Sequence, residues 1–546
     1  MAMDCALRAF QSTLGSFARP GKYHGRLTAQ RILSSPSTPA CSPAYWYPPN
    51  RFFNREYFII PYISDKDCLK RVVPWPLLPN PEGLVLWEWI AMPDSTGFGS
   101  YTESGTVIPC IAPDGREVNF TAQMFLDDEP PIAGGREIWG FPKKFANPEF
   151  GVSRDTMFGK LFYQGLPVAY GTMSYKTKAL PKDVVVAALS KPQVNLKTIP
   201  CVKSGKVRIA QLVEYQMTDI TFHEGWEGQA RVQLFEHANA PATSLPVRSV
   251  LPGKHFRADI SLPYGKVLHD YLASKEDTED HERLGRSRIL QTAMPAMSPS
   301  YSMGVAGDGE AANPALYHTE EEYLVTHYSV DVESLLDYIP ERLVPMVDDS
   351  GKAVLGLRWQ VGAGTGLGEF QLLRVLALCQ DRASNEICNF GLMGFADSSS
   401  VITVNREKFG RPLKYALPSL KTHKDTLVGS LEYSDLTVCK ATMAYKQRAL
   451  ELADVAHMMQ AVAEYNVKLM PSCDGGLPAI AELVRHQYAT VDVSQAWAGS
   501  ANVSVFAHCN APISDFRPER MLASYHIVAS TSVHAGEIVE DYLQQS

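Results

Sequence analysis

The sequence predicts two tandem copies of one α+β domain, mainly antiparallel β, closing as a barrel or a sheet with a few peripheral helices. Three observations predict it. The chain repeats itself at an offset of 270 residues, short segments rich in aromatic and β-branched residues alternate with Gly/Pro/Asp turns, and helical patterns are scarce.

The repeat comes first. "GTMSYKTKAL" at 171 returns as "ATMAYKQRAL" at 441, and "RDTMFGKLFY" at 154 returns as "KDTLVGSLEY" at 424. "FEHANAP" at 235 matches "FAHCNAP" at 506, and "GKVLHDYL" at 265 matches "GEIVEDYL" at 536, now offset by 271. So small a drift over so long a stretch means two copies of one unit. The boundaries read as an N-terminal extension or targeting segment (1–48), a first domain (49–274), a Ser/Pro/Gly/Ala-rich linker (275–314) and a second domain (315–546).

Strands follow from "LVLWEWIAM", "REVNFTAQMFL", "LPVAYGTMSYKT", "QARVQLFEH" and "KHFRADISL" in the first copy. Helices are expected at "SDKDCLKRVV", where Ser64 can cap the first turn, and at "ELADVAHMMQAVAEY" in the second copy. The glycine-rich "GAGTGLGEF" at 362 lacks the spacing of a phosphate loop and aligns with "STGFGSY", so it reads as a turn between strands.

Composition narrows the function classes. At 546 residues the chain exceeds what one core usually supports, and its 45% hydrophobic and 20% charged residues are those of a soluble globular protein. A net charge of -8 without a basic stripe argues against nucleic acid. The ten cysteines are dispersed, with no metal-ligand spacing, and no apolar run is long enough to span a membrane. Within the first 45 residues, Arg8, Arg19, Lys22, Arg26 and Arg31 face a single acid, Asp4, and Leu7, Phe10, Leu14 and Phe17 fall at helical spacing. That is the composition of a mitochondrial transit peptide. An acid-poor extension on a cytoplasmic protein is the alternative, and the favoured one.

The candidate chemistry lies in "GGREIWGFPKK", residues 134–144. Adjacent residues of a strand point to opposite faces, so one of Lys143 and Lys144 can face an interior while the other faces out. Desolvation disfavours the ammonium form, and bringing a lysine from about 10.4 to near neutrality takes roughly three units, about 4 kcal/mol. A neutral amine can attack a ketone and form a Schiff base, which accepts electrons when a neighbouring C–C bond breaks. On pattern alone, a lysine pair is more often a solvated edge.

The surrounding motifs change that balance. "NREYF" at 54, "LWEWIAMPDSTGFGSYTESG" at 86, "GREIWGFPKK" at 135, "MSYKTKAL" at 173 and "QLFEHANAP" at 233 resemble, in order and spacing, the acetoacetate decarboxylase family. The resemblance covers nearly all of residues 50–272. It implies that Lys143 is the Schiff-base lysine with Lys144 as its cationic neighbour, that Glu103 lies beside the reacting amine, and that Arg55 and Glu88 are charged residues of the pocket. It also implies a β-keto acid substrate, no metal or organic cofactor, and assembly into homo-oligomers, a surface the fused second copy can partly satisfy internally. The tandem arrangement resembles fungal members of the family, which implies a polyketide-derived β-keto acid in secondary-metabolite or toxin biosynthesis.

The second copy keeps the frame and changes the charges. Leu413 aligns with Lys143, Lys414 with Lys144, Leu372 with Glu103, Arg358 with Glu88 and Glu321 with Arg55. Leucine cannot form an imine, so the second copy is expected to be inactive. His237/His508, Trp226/Trp497 and Tyr175-Lys176/Tyr445-Lys446, kept in both, are expected to serve folding. Two rival functions remain: a Schiff-base aldolase-dehydratase of the same fold, and a non-catalytic small-molecule binding or scaffold protein.

Overall fold

The computed structural model describes residues 18–203, 207–273, 316–364, 366–533 and 535–544. The N-terminal amphipathic stretch and the 275–314 linker lie outside them. Each domain is one long twisted sheet with a four-stranded sheet packed on one face.

In the first domain the strands used below are β1 (Asn50–Ile63), β2 (Leu84–Met92), β3 (Tyr101–Ile111), β4 (Glu117–Leu126), β5 (Lys143–Phe145), β6 (Asn147–Ser153), β7 (Thr156–Tyr163), β8 (Leu166–Ser174), β9 (Gln193–Pro200), β10 (Val207–Tyr215), β11 (Thr218–Gly228), β12 (Ala230–Leu234), β13 (Gly253–Leu262) and β14 (Lys266–Asp270). The long sheet runs β11-β13-β1-β2-β3-β4-β9-β10-β14 and its path does not close into a barrel. Pairing is antiparallel except where β9 and the short β5 lie parallel to β4. Both follow helical crossovers, which parallel neighbours require. The small sheet is β12-β8-β7-β6.

Alternation along the strands separates two cores. Phe58, Ile60, Trp87, Trp89, Met157 and Leu161 pack between the two sheets. Their sequence neighbours, including Tyr57, Ile90 and Tyr101, face the other way, toward a second cluster with Phe141, Leu189 and Tyr215. Trp89 lies so close to β7 that a Cβ at Gly159 would come within 2.4 Å of its ring. Its indole N–H donates to Lys160 O at 3.0 Å. Trp359 repeats this contact in the second domain, donating to Ser430 O at 3.0 Å with Gly429 beneath the ring.

The five segments read as strands all form strands. "SDKDCLKRVV" forms the helix Lys66–Val72, but its N-cap is Asp65 with no side-chain cap bond, and the Ser64 hydroxyl is buried without a partner. The helix expected at 451–465 stops at Ala461, because Ala463–Met470 is taken up as a buried strand. "GGREIWG" is a helix as well: Glu129–Gly134 continues into a π turn, Gly135–Trp139, ended by Gly140 at φ 78°.

The domains meet about a pseudo-two-fold axis. Arg136 pairs with Glu407 at 2.7 Å and Arg406 with Glu137 at 2.6 Å, all four side chains buried. Lys197 Nζ donates to Pro471 O and Lys468 Nζ to Pro200 O, and Phe145 stacks on Tyr415 with ring centres 5.4 Å apart. The same patch on both partners, each residue contacting its counterpart's neighbour, is the signature of an isologous dimer interface, here within one chain. Residues 18–48 lie against the second domain: Arg19 and Pro20 pair with Val347 and Met346, and Ser42 accepts a bond from Lys414. Tyr45 of that segment donates to Glu137 at the interface.

Candidate active site

The face of the long sheet turned away from the small sheet surrounds a cavity of about 250 Å³. Arg55 on β1, Glu88 on β2, Glu103 on β3 and Lys143 on β5 all line it. The register explains why residues so far apart in sequence converge. Ile59 stands opposite Glu88, Ile90 opposite Glu103, Glu103 opposite Leu126, and Met124 opposite Lys143, so one face of the five neighbouring strands β1 to β5 presents all four.

Lys143 is only 6% exposed. Its Nζ lies 3.5 Å from Glu103 Oε2, 4.9 Å from the Phe141 ring centre and 5.8 Å from that of Tyr101. Burial lowers its pKa first; the Glu103 carboxylate opposes that and the Arg55 guanidinium adds to it. Arg55 donates to Glu103 Oε1 at 3.1 Å and lies over the rings of Tyr57 and Phe52, at 4.9 and 5.3 Å. Its Nε has no hydrogen-bond partner among the described residues. The Glu88 carboxyl is pushed up to about 7 by burial, with Arg55 opposing and Glu103 reinforcing the shift. Near neutral pH it can therefore hold or release a proton.

Lys144 is not in this cavity. Strand alternation sends it to the opposite face, where it is 3% exposed, sits 4.7 Å from the Tyr163 ring centre and donates to Asn239 O at 2.5 Å. The sequence reading turned it toward solvent; instead it is buried between the two sheets. Lys414 does the same in the second domain, donating to Asn510 O at 2.7 Å. The cation that depresses Lys143 is Arg55, not Lys144.

The sequence reading missed Gly135. A Cβ there would lie 2.8 Å from Lys143 Cδ and 3.3 Å from Nζ, so the lysine reaches the cavity across a bare helix position. The second domain places Asn405 at that point, within the α-helix Ser399–Phe409. Comparing the copies as folded could have found it; the motif alone, which reads as a glycine turn, could not. Other expected pairs recur symmetrically: His237 and His508 each accept a backbone N–H, from Asn239 and Asn510, and Lys176 and Lys446 lie over Trp226 and Trp497.

In the second domain, Leu413 pairs with Gly394 as Lys143 pairs with Met124. Leu372 pairs with Ala396 as Glu103 pairs with Leu126. The substitutions thus fall at the matching places of the second sheet. Its corresponding cavity is about 60 Å³.

The acetoacetate decarboxylase from Acidiphilium cryptum is 49% identical over 235 residues, 43% of this chain and 95% of the relative. Acetoacetate decarboxylase 1 from Mesorhizobium japonicum is 50% identical over 235 residues, 43% of this chain and 94% of the relative. The solved acetoacetate decarboxylase of Legionella pneumophila shares 44% identity over 42% of this chain and 91% of its own, with a TM-score of 0.40. The family model for acetoacetate decarboxylase matches residues 34–272 and again 301–543. With both halves accounted for by one family, the chain belongs to the acetoacetate decarboxylase family, as a tandem of two such domains.

Proposed function

We propose that the first domain is a Schiff-base decarboxylase of a β-keto acid and that Lys143 is its nucleophile. The observation that carries this reading is a lysine with a depressed pKa, buried in the wall of the cavity and 3.5 Å from a carboxylate. The neutral Lys143 amine attacks the ketone carbon to form a carbinolamine, and loss of water yields the protonated imine. The bond from the α-carbon to the carboxylate then breaks; its electron pair moves through the α-carbon to the imine nitrogen, and carbon dioxide leaves with the enamine remaining. Protonation of the α-carbon and hydrolysis by water release the ketone and restore the amine.

Glu103 is placed to take and return the proton at Nζ. Arg55 holds Glu103, and Glu88 can supply the proton for the α-carbon. A site lined by Phe52, Ile90, Phe141 and Leu262 favours loss of a charged carboxylate as neutral carbon dioxide. The same apolar lining and volume support a substrate with a tail longer than acetoacetate's, such as a polyketide-derived acid.

The test is mass spectrometry after incubation with a series of β-keto acids and sodium borohydride. A reduced adduct on Lys143, absent in Lys143→Ala and kept in Lys144→Ala, is the expected outcome, together with carbon dioxide release. Loss of Lys143 should lower turnover on the order of 10³-fold or more. If no acid in the series labels Lys143, the binding-protein reading replaces this one. If the imine forms but yields condensation with an aldehyde and no carbon dioxide, the aldolase-dehydratase reading does.

A further inference from the structure

The cavity of the second domain has not simply filled in. Arg358 occupies the place of Glu88; after burial, Arg411 and Arg358 disfavour the charge of Arg374, and Arg358 disfavours that of Arg411. Arg358 and Arg411 line the cavity, with Val325, Met458, Val462 and Ile527 forming apolar wall. Glu464 answers two of the three guanidiniums: it pairs with Arg374 and accepts from Arg411 Nε at 3.0 Å. Glu321, the other carboxylate nearby, is saturated by Tyr323, Gln360 and Thr531. Arg358, partly exposed in the cavity wall, makes no hydrogen bond or ion pair among the described residues, so three guanidiniums face two carboxylates.

Two buried donors also lack partners among the described residues. Arg374 is 4% exposed and its Nε is unpartnered. His486 is 2% exposed and lines the cavity; its Nε2 accepts from Arg411 Nη2 at 2.6 Å, so its proton sits on Nδ1, which has no partner. Buried donors without partners are costly in an apolar setting unless something answers them, and Arg358, partly exposed, is free to turn its fork toward an anion. On the scale of about 10–15 Å³ per water, the cavity admits roughly four to six heavy atoms.

We propose that the second domain's pocket is a receptor site for a short-chain monocarboxylate, held in a bidentate pair by Arg358 with its tail against the apolar wall, and left unreacted because Leu413 replaces the nucleophile. One added negative charge balances the three guanidiniums against three carboxylates, and the planar fork of Arg358 matches carboxylate geometry. The proposal does not rest on the decarboxylase reading, since it concerns binding alone.

The experiment is calorimetric titration of the full-length protein with sodium butyrate at fixed ionic strength, with 1-butanol and inorganic phosphate as comparison probes, in wild type, Arg358→Gln and Arg358→Lys. Whatever butyrate the first domain takes is common to all three proteins, so the difference between isotherms reports the second pocket. Wild type should show a component that 1-butanol does not reproduce, weakened at least about tenfold in Arg358→Gln and partly kept in Arg358→Lys. Because Arg358 has no hydrogen-bond or ion-pair partner among the described residues, unliganded Arg358→Gln should unfold at the same temperature as wild type or higher, which separates lost binding from lost fold. Identical butyrate isotherms in wild type and Arg358→Gln would overturn the proposal. So would phosphate competing as strongly as butyrate, which would make the site a general anion sink.

Discussion

Burial lowers the pKa of Lys143 first, and two neighbours of opposite sign, Glu103 and Arg55, then adjust it, which gives paired expectations. In the proposed mechanism the neutral amine reacts, so activity should rise as pH rises through the pKa of Lys143, which lies below the ordinary lysine value of about 10.4. Glu103→Gln removes the charge that raises this pKa, so the rising limb of kcat/KM should move to lower pH. Arg55→Met removes a charge that lowers it, so the limb should move to higher pH. pH profiles of the two variants check both signs, and limbs that stay at the wild-type position in both would mean that burial alone governs the amine. Gly135→Ala should leave the fold intact, because Gly135 has ordinary helical φ and ψ, yet press a methyl against the lysine stem. A displaced nucleophile costs on the order of 10²-fold in turnover. Borohydride labelling of Lys143 and near-ultraviolet dichroism on the same sample check the two halves of that expectation.

The helix carrying Arg136 and Glu137 ties the strand that holds Lys143 to the other domain. Arg136 Nη1 donates to Lys143 O at 3.2 Å while its Nε and Nη2 grip Glu407, and Arg406 treats Leu413 O and Glu137 in the same way. Removing one partner of such a buried pair strands the other charge, so Glu407→Gln should lower stability by about 3–5 kcal/mol, and Arg136→Met with Glu407→Leu together by less than that. Chemical denaturation of the three proteins measures it. This element also marks where the sequence was hardest to read. Strands were legible because period-two alternation is local, and Lys143, Glu103, Arg55 and Glu88 could be nominated from their motifs. The 129–139 helix was not, since nothing local in its Pro- and Gly-rich sequence signals one; Pro130 and Pro131 are tolerated because they stand in its first turn, where backbone N–H groups have no intrahelical partner. Lys144 was misplaced for a related reason. Alternation says which way a side chain turns, not whether a second sheet waits there.

At the scale of the molecule, the fused second domain does what a neighbouring subunit would do, and nothing in either copy's sequence names that contact. Arg136 and Glu137 look like an ordinary adjacent pair until Arg406 and Glu407 are laid across them. Expressed alone, residues 46–275 would expose that patch, with Lys197 beside it. Because Arg136 and Glu137 can answer Glu137 and Arg136 of an identical copy, the fragment should associate into dimers rather than stay monomeric. Light scattering across a concentration series checks this, and a soluble monomer of unchanged activity would show that the second domain is dispensable.

The reciprocal interface also has a consequence for dilution. Two separate subunits joined by these contacts would part at low concentration. Here the partner is on the same chain, at an effective concentration that no dilution of the protein can lower. Whatever support the strand that holds Lys143 draws from Glu407 is therefore present at any expression level. One half of the pair has thus been able to change every charge in its pocket without unmaking the contact that the other half relies on.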